Sequence, residues 1–184
     1  YDIAGKGRAA IAMAGRLGQA YWFHEAVGKW VTGTYYRKEF PAWLKAVNDK
    51  KPGDQFFNKP WTLVGAKNEY QGVDDRPFES DAYGMGRAFP HPLTVGLNAP
   101  GPQSWSALAS SPLFGDVLVQ AAKAAIEGEG LGKDDVPDLL TVSLSSFDRV
   151  FHLFGPFIVE MQDAVTRLDK NVAELIAMAE KAAG

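Results

Sequence analysis

The sequence lacks cysteine, a basic excess and any long apolar run, and each absence removes a class of protein. Without cysteine, disulfide bonds and metal sites built on thiolates are excluded. A formal net charge of −3 at pH 7 leaves no basic excess to neutralise phosphates, so no nucleic-acid partner is expected. No apolar run approaches the roughly 20 residues that span a bilayer, so no membrane span is expected. With 46% hydrophobic and 22% charged residues, the composition is that of a globular protein.

The first segment, residues 1–50, has the pattern of strands followed by a short helix. Apolar runs at 9–14 and 20–23, and a β-branched and aromatic run at 30–36, are typical of strands. Glycines between them favour a meander or a hairpin. Pro41 suits the start of a short helix that ends before Pro52.

The second segment, residues 51–111, holds most of the prolines and only short apolar pieces. A stretch of this length without clear elements is typical of a cap or lid. In the third segment, residues 112–184, Ser111 and Pro112 suit the N-cap and first position of a helix reaching Ala125. The run Leu139–Leu144 predicts a central strand covered on both faces.

A long C-terminal helix is predicted from apolar residues spaced alternately three and four apart, and this stripe is expected to lie on the sheet. The stripe consists of Ile158, Met161, Val165, Leu168, Val172, Leu175 and Ala179. Helix, strand and helix in succession form an α/β unit. The sequence therefore predicts an α/β fold, with a mixed sheet, flanking helices and a loop-rich cap.

Asp148 and His152 follow the predicted strand and are four residues apart, so a helical turn would bring both to one face. A carboxylate and an imidazole at the end of a buried strand are typical of a divalent-metal site. Two ligands alone also fit a capping aspartate beside a helical histidine. His24 and His91 lie in unrelated sequence contexts.

The segment SSFDRVFHLFGP, residues 145–156, resembles the S-S-T-D-x-x-G-H-x-F-G-P motif of the alkaline phosphatase superfamily. The matching branch has a single threonine or serine nucleophile and is similar to type I phosphodiesterases and nucleotide pyrophosphatases. The segment GKGRAAIAMAGRLGQAYWF is similar to its K-D-R-A-A-I-x-x-A-G, and WVTGTYYRKEFPAWLKAVND to its F-V-T-S-x-Y-Y followed by P-A-W. DDRPFESD, GRAFPHP and SPLFGDVLVQAAKAAIEGEGLGKDDVPD resemble the region before its metal strand, and FGPFIVEMQDAVTRLDKNVAELI the helix after its ligands.

The resemblance implies zinc-dependent hydrolysis of phosphate monoesters. Asp148 and His152 match two ligands of one zinc in a two-zinc pair. Lys6 and Arg8 match a K-x-R motif whose cations contact the phosphoryl group, where transition-state charge develops. A periplasmic or secreted parent protein is also implied, although no targeting segment is visible in the sequence.

Several positions depart from the family pattern. Gly7 stands where the family has aspartate, and Arg149 stands where a tyrosine-like residue is expected. Phe147, Phe151 and Ile158 replace smaller residues around the two ligands. We expect these three to pack together as a plug that crowds the metal pocket.

The nucleophile segment that precedes K-x-R in the family, and the A-D-H-G motif and histidine that follow the long helix, do not occur between Tyr1 and Gly184. We therefore expect an inactive fragment or derivative of a zinc-dependent alkaline phosphatase. Its expected partners are a phosphate monoester and the missing N- and C-terminal parts of the same protein. The alternative is a non-catalytic scaffold, natural or engineered, that retains the family's middle region. A self-contained enzyme with other chemistry is least favoured, since no Ser-His-Asp or phosphate-loop arrangement occurs.

Overall fold

The computed structural model describes residues 1–184, apart from the side chain of Ala82. The described residues form a mixed four-stranded sheet in the order β3-β2-β1-β4. The strands are β1 (Asp2–Ala4), β2 (Ala20–His24), β3 (Lys29–Val31) and β4 (Thr141–Ser143). Strand β1 is parallel to both of its neighbours, β2 and β4, whereas β2 and β3 form an antiparallel hairpin. The predicted α/β class with a mixed sheet is confirmed.

Helices lie on both faces of this sheet. Within the described chain they are α1 (Gly7–Ala14), α2 (Ala42–Asp49), α3 (Pro102–Ala109), α4 (Phe114–Glu129), α5 (Ser146–Phe154) and α6 (Val159–Ala183), with short 3-10 turns at Lys67–Glu69 and Ala82–Gly84. None of the helices described is both long and apolar enough to cross a membrane.

The two faces of the sheet carry side chains of different size. Ala4 and Ala20 pack against Ala10 of α1, which lets this short helix approach the strands closely. On the other face, the large side chains of β1, β2 and β3 pack against α4, with the rings of Phe23 and Phe114 at a centroid distance of 5.1 Å. The main apolar core therefore lies between the sheet and α4.

The N-terminal predictions are confirmed except at the first apolar run. Strand β2, the hairpin and α2 occur as expected, and β3 ends at Val31, earlier than predicted. The run at 9–14, predicted as a strand, belongs to helix α1. Alanine is the strongest helix former, and four of the eight residues of α1 are alanine.

The predicted central position of the strand at Leu139–Leu144 is wrong. Strand β4 pairs only with β1 and forms an edge of the described sheet. Its residues are half-buried, and Leu139 before it is 73% exposed. A continuous apolar run is compatible with a central strand but does not supply the second neighbour that such a strand needs.

The long helix α6 packs on α4 and α5, so its predicted placement on the sheet is wrong. Val165 and Val172 of the predicted stripe are 51% and 40% exposed, whereas Ala164 and Asn171, which lie outside it, are buried. The buried face is thus rotated from the predicted one and includes polar residues that contact other segments.

Helix α3 lies in the segment predicted to be loop-rich. Its signals are Pro102 at the first position and Ser104, whose hydroxyl accepts a hydrogen bond from the Gly101 amide at 3.0 Å. The division of the chain into segments 1–50, 51–111 and 112–184 stays a prediction.

Polar side chains of α6 hold the loop-rich segment in place. The buried carboxylate of Asp163 accepts hydrogen bonds from Trp61 Nε1 at 2.6 Å, the Val64 amide at 2.8 Å and the Tyr70 hydroxyl at 3.0 Å. Arg167 Nε donates to the same carboxylate at 2.7 Å. A segment with little regular structure is thereby connected to a rigid helix at several points.

Candidate functional site

Three connections meet at the carboxyl edge of the parallel strands. Lys6 lies just after β1, Glu25 just after β2, and Asp148 in the first turn of α5 after β4. Because β1 is parallel to β2 and β4, these three strand ends lie at one edge of the sheet. In α/β folds this edge is where ligands bind.

Lys6, Asp148 and His152 come together at this edge. Lys6 Nζ donates to Asp148 Oδ2 at 3.0 Å, and His152 Nε2 lies 3.3 Å from Asp148 Oδ1. The side chains of Asp148 and His152 are 56% and 71% exposed, so a ligand can reach both. Arg8 is exposed in the first turn of α1.

The neighbouring cations keep the Asp148 carboxylate ionised. The hydrogen bond from Lys6 lowers the pKa of Asp148 below its ordinary value, and the charges of Lys6, His152 and Arg8 lower it further. Arg8 therefore acts on the cluster through its charge. An ionised carboxylate is the form that binds a metal.

Two glycines allow other side chains to approach the backbone closely on either side of Lys6. A Cβ atom at Gly5 would lie 2.7 Å from both the Phe114 ring and Ser145 Oγ, closer than real contacts allow. At Gly7 a Cβ atom would lie 3.1 Å from the indole nitrogen of Trp22. Glycine at position 7, where the family has aspartate, thus leaves room for Trp22.

The predicted aromatic plug is wrong. Phe151 is 43% exposed, whereas Ile158 is 1% exposed. The buried face of α5 consists of Ser146, Val150 and Phe154, which are spaced by four residues. Phe147 and Phe151 follow this face by one position, which turns them about 100° around the helix axis. The three side chains therefore do not form one buried plug: Phe147 packs on the main core with Ile158, whereas the ring of Phe151 lies 5.9 Å from that of His152 at the surface.

An ion pair that the sequence did not reveal lies beside this cluster. Arg149 Nη2 donates to Glu25 Oε1, and the two side chains are only 19% and 25% exposed. The residues are 124 positions apart, so no local pattern could indicate the contact.

Asp148 and His152 fit half of a zinc shell. Asp148 Oδ1 and His152 Nε2 face each other from one side of α5 and could both bind one ion. A zinc site needs three or four ligands. Among the residues described, no group of three or more His, Cys, Asp or Glu could hold a metal. The further donors would have to come from outside this set.

A second acid–histidine pair lies deep in the protein. His91 is fully buried, with Nδ1 at 3.2 Å from the Met85 carbonyl oxygen and Nε2 at 3.2 Å from Glu160 Oε1. Because a carbonyl only accepts hydrogen bonds, Nδ1 carries a proton. The centroid of the His91 ring lies 4.8 Å from that of Trp61 and 5.0 Å from that of Phe154. No local pattern in the sequence indicates that His91 pairs with Glu160, which lies 69 positions away.

The comparisons with known proteins agree with this fold. Residues 15–184 match the family model described as type I phosphodiesterase / nucleotide pyrophosphatase. The chain belongs to this family, within the alkaline phosphatase superfamily.

Curated relatives include alkaline phosphatases. The chain is 35% identical to alkaline phosphatase PafA of Elizabethkingia meningoseptica, over 97% of this chain and 33% of the relative. It is 32% identical to alkaline phosphatase PhoV of Synechococcus elongatus, over 100% of this chain and 33% of the relative. A calcium-transporting ATPase of Myroides odoratus is 34% identical over 95% of the chain and 32% of the relative.

A solved structure of wild-type PafA superposes with a TM-score of 0.86 at 31% identity, covering 99% of this chain and 36% of PafA. The chain thus spans about a third of the length of the relatives it matches.

Proposed function

We propose that this chain supplies the phosphate-binding cations and two ligands of one zinc ion to an alkaline phosphatase that hydrolyses phosphate monoesters. The observation that supports it is the convergence of Lys6, Asp148 and His152 at the carboxyl edge of the sheet, with contacts of 3.0 and 3.3 Å. Two of these groups are exposed, and the family includes proteins named alkaline phosphatase.

Lys6 and Arg8 are proposed to bind the phosphoryl oxygens. Cations at that place stabilise the negative charge that develops on the transferring group. A further solved structure is of a PafA variant in which a lysine and an arginine two positions apart are both replaced by alanine, which is the spacing of Lys6 and Arg8. That variant is 30% identical to this chain, over 99% of the chain.

Asp148 and His152 are proposed to hold one zinc ion, which in such sites polarises phosphate oxygens as a Lewis acid. The two oxygens of Asp148 face different partners: Oδ2 accepts from Lys6, and Oδ1 faces His152. Oδ1 and Nε2 are therefore the donors for a metal, while Oδ2 keeps the lysine in place.

We further propose that the isolated chain does not turn over phosphate esters, and that the parent protein is periplasmic or secreted. The 184 residues contain no segment like the family's nucleophile segment, and the described part offers two metal donors. The second candidate is a non-catalytic scaffold. It is favoured by the pairing of Lys6 with Asp148, which leaves the lysine less free to bind an anion.

Calorimetry with zinc and an assay of aryl phosphate hydrolysis at alkaline pH test these proposals. We expect weak zinc binding that is lost in His152→Ala and retained in His24→Ala, an exposed histidine of the hairpin. We expect no turnover. Zinc-dependent turnover that disappears in Asp148→Asn would contradict the proposed inactivity, and unchanged zinc binding in His152→Ala would contradict the ligand assignment.

A further inference from the structure

Helix α5 carries both candidate metal ligands, and its attachments to the rest of the chain set their position. Val150 and Phe154 are fully buried, which fixes the face of α5 that points to the core. At its far end, the Leu153 carbonyl oxygen accepts a hydrogen bond from the Ser80 amide at 2.8 Å. The first turn, with Asp148, has two side-chain ion pairs to the strand ends.

These two ion pairs differ in their exposure to water. Lys6 contacts Asp148, whose side chain is 56% exposed, and an ion pair so exposed contributes little free energy. Arg149 and Glu25 are 19% and 25% exposed, so water screens their attraction less. The more buried pair is the stronger restraint on the first turn of α5.

We propose that the Glu25–Arg149 ion pair is a positioning pair that holds the first turn of α5 so that Asp148 reaches Lys6. That this geometry matters for catalysis rests on the proposed function. The pair connects the end of β2 to α5, while Lys6 connects the end of β1 to the adjacent residue of α5. Asp148 is thus fixed between two strand ends of the sheet.

The same contact gives Arg149 a carboxylate partner of its own at the end of β2. Its guanidinium donates to the Glu25 carboxylate, so the pair carries no net charge. In the family pattern a tyrosine-like residue is expected at this position. Arg149 therefore connects α5 to the hairpin, and the carboxylate of Glu25 in the hairpin balances its charge.

The test observes the lysine ammonium groups of the full 184-residue chain by 1H–15N NMR, because an ammonium held in an ion pair exchanges its protons slowly. Asp148→Asn assigns the signal of Lys6. We expect Glu25→Ala and Arg149→Ala each to reduce this signal at least about twofold, since an exposed pair is weak without a fixed backbone. The charge-swapped variant Glu25→Arg/Arg149→Glu should recover it.

The matched control is Asp75→Ala, which breaks an exposed ion pair with Arg87 at 3.0 Å and should leave the Lys6 signal unchanged. Should either alanine variant lower the melting temperature, Glu25→Gln and Arg149→Gln provide the same comparison with smaller changes. An unchanged Lys6 signal in folded single variants overturns the inference, and failure of the swapped pair to restore it does so too. A zinc titration of the wild-type chain is scored separately. The variants could lose the Lys6 signal while the wild type binds no zinc. That result would contradict the proposed function but support the positioning role of the Glu25–Arg149 pair.

Discussion

Two acid–histidine pairs of nearly equal geometry lie at opposite extremes of burial in this chain. In the exposed pair, His152 Nε2 lies 3.3 Å from Asp148 Oδ1, with side chains 71% and 56% exposed. In the buried pair, His91 Nε2 lies 3.2 Å from Glu160 Oε1, and both side chains are 0% exposed. Water screens the exposed pair, and a ligand can replace that water. The buried pair is not in contact with water that a ligand could replace. Access to solvent, rather than distance, separates the candidate site from a structural contact.

Removing the buried histidine should have the largest effect on the free energy of unfolding. His91→Ala should destabilise the fold by about 3–5 kcal/mol, because Glu160 would be left buried without its partner. His152→Ala should cost less than about 1 kcal/mol, as is usual for an exposed pair. Urea unfolding followed by circular dichroism measures both. Similar losses in the two variants would mean that burial does not separate the pairs.

Replacing both members of the buried pair should sharpen this result. A double variant, His91→Phe with Glu160→Met, should recover the whole loss seen in His91→Ala and be as stable as the wild type or up to about 1–4 kcal/mol more stable, because apolar residues of similar volume avoid the cost of a buried charge. The same urea measurement applies. A double variant as unstable as the single one would show that the hydrogen bond from His91 Nδ1 to Met85 matters more than the charge balance.

Two carboxyl groups, Asp148 of the exposed pair and Glu79 near Glu160 of the buried pair, predict pH dependences of opposite sign. Burial, together with the charge of Glu160, raises the pKa of Glu79 above its ordinary 4.5. Its contribution to stability is full below that value and is lost as the pH rises through the folded-state pKa. The hydrogen bond from Lys6 lowers the pKa of Asp148 below 3.8, so its contribution is full above that value and is lost as the pH falls through the folded-state pKa.

Melting temperatures from acid to neutral pH test these signs. Glu79→Gln should remove a loss of stability that begins above pH 4.5, and Asp148→Asn should remove a smaller loss below pH 3.8. Identical pH profiles for Glu79→Gln and the wild type would show that Glu79 keeps its ordinary pKa in the folded state.

The smallest expected change is chemical and leaves the fold intact. Diethyl pyrocarbonate should modify His152 at 71% exposure and leave His91 at 0% exposure unmodified. Mass spectrometry of the digested chain gives the extent at each histidine, with exposed His24 as the internal reference. Modification of His91 at the rate of His24 would show that the loop-rich segment opens in solution.

Local patterns in the sequence predicted those parts of the fold that depend on neighbouring residues. The hairpin, α2 and most of α4 and α6 follow from turn residues and apolar spacing. The rotation of α6 could not be read this way, because its buried face includes Asp163 and Asn171, which are buried through hydrogen bonds to other segments. The edge position of β4 depends on which strands are present beside it.

The candidate site was predicted in part for the same reason. The spacing of four residues placed Asp148 and His152 on one face, as the structure shows. The contact of Lys6 with Asp148 joins residues 142 positions apart, so no local pattern could predict it, and the family resemblance assigned the two residues to different roles. No resemblance pointed to Glu25, which is why its ion pair with Arg149 was missed.

The hydrogen bonds between α6 and the loop-rich segment have a consequence for a chain that has been cut. Asp163 binds Trp61, Val64 and Tyr70, and Glu160 binds His91, so both sides of an exposed loop near residue 73 are held by the same helix. A protease that cleaves this loop would produce two polypeptides that remain associated without a covalent link. They should elute together in size-exclusion chromatography under native conditions and separate only in denaturant. The loop near residue 73 is therefore a place where continuity of the backbone is dispensable once the protein has folded.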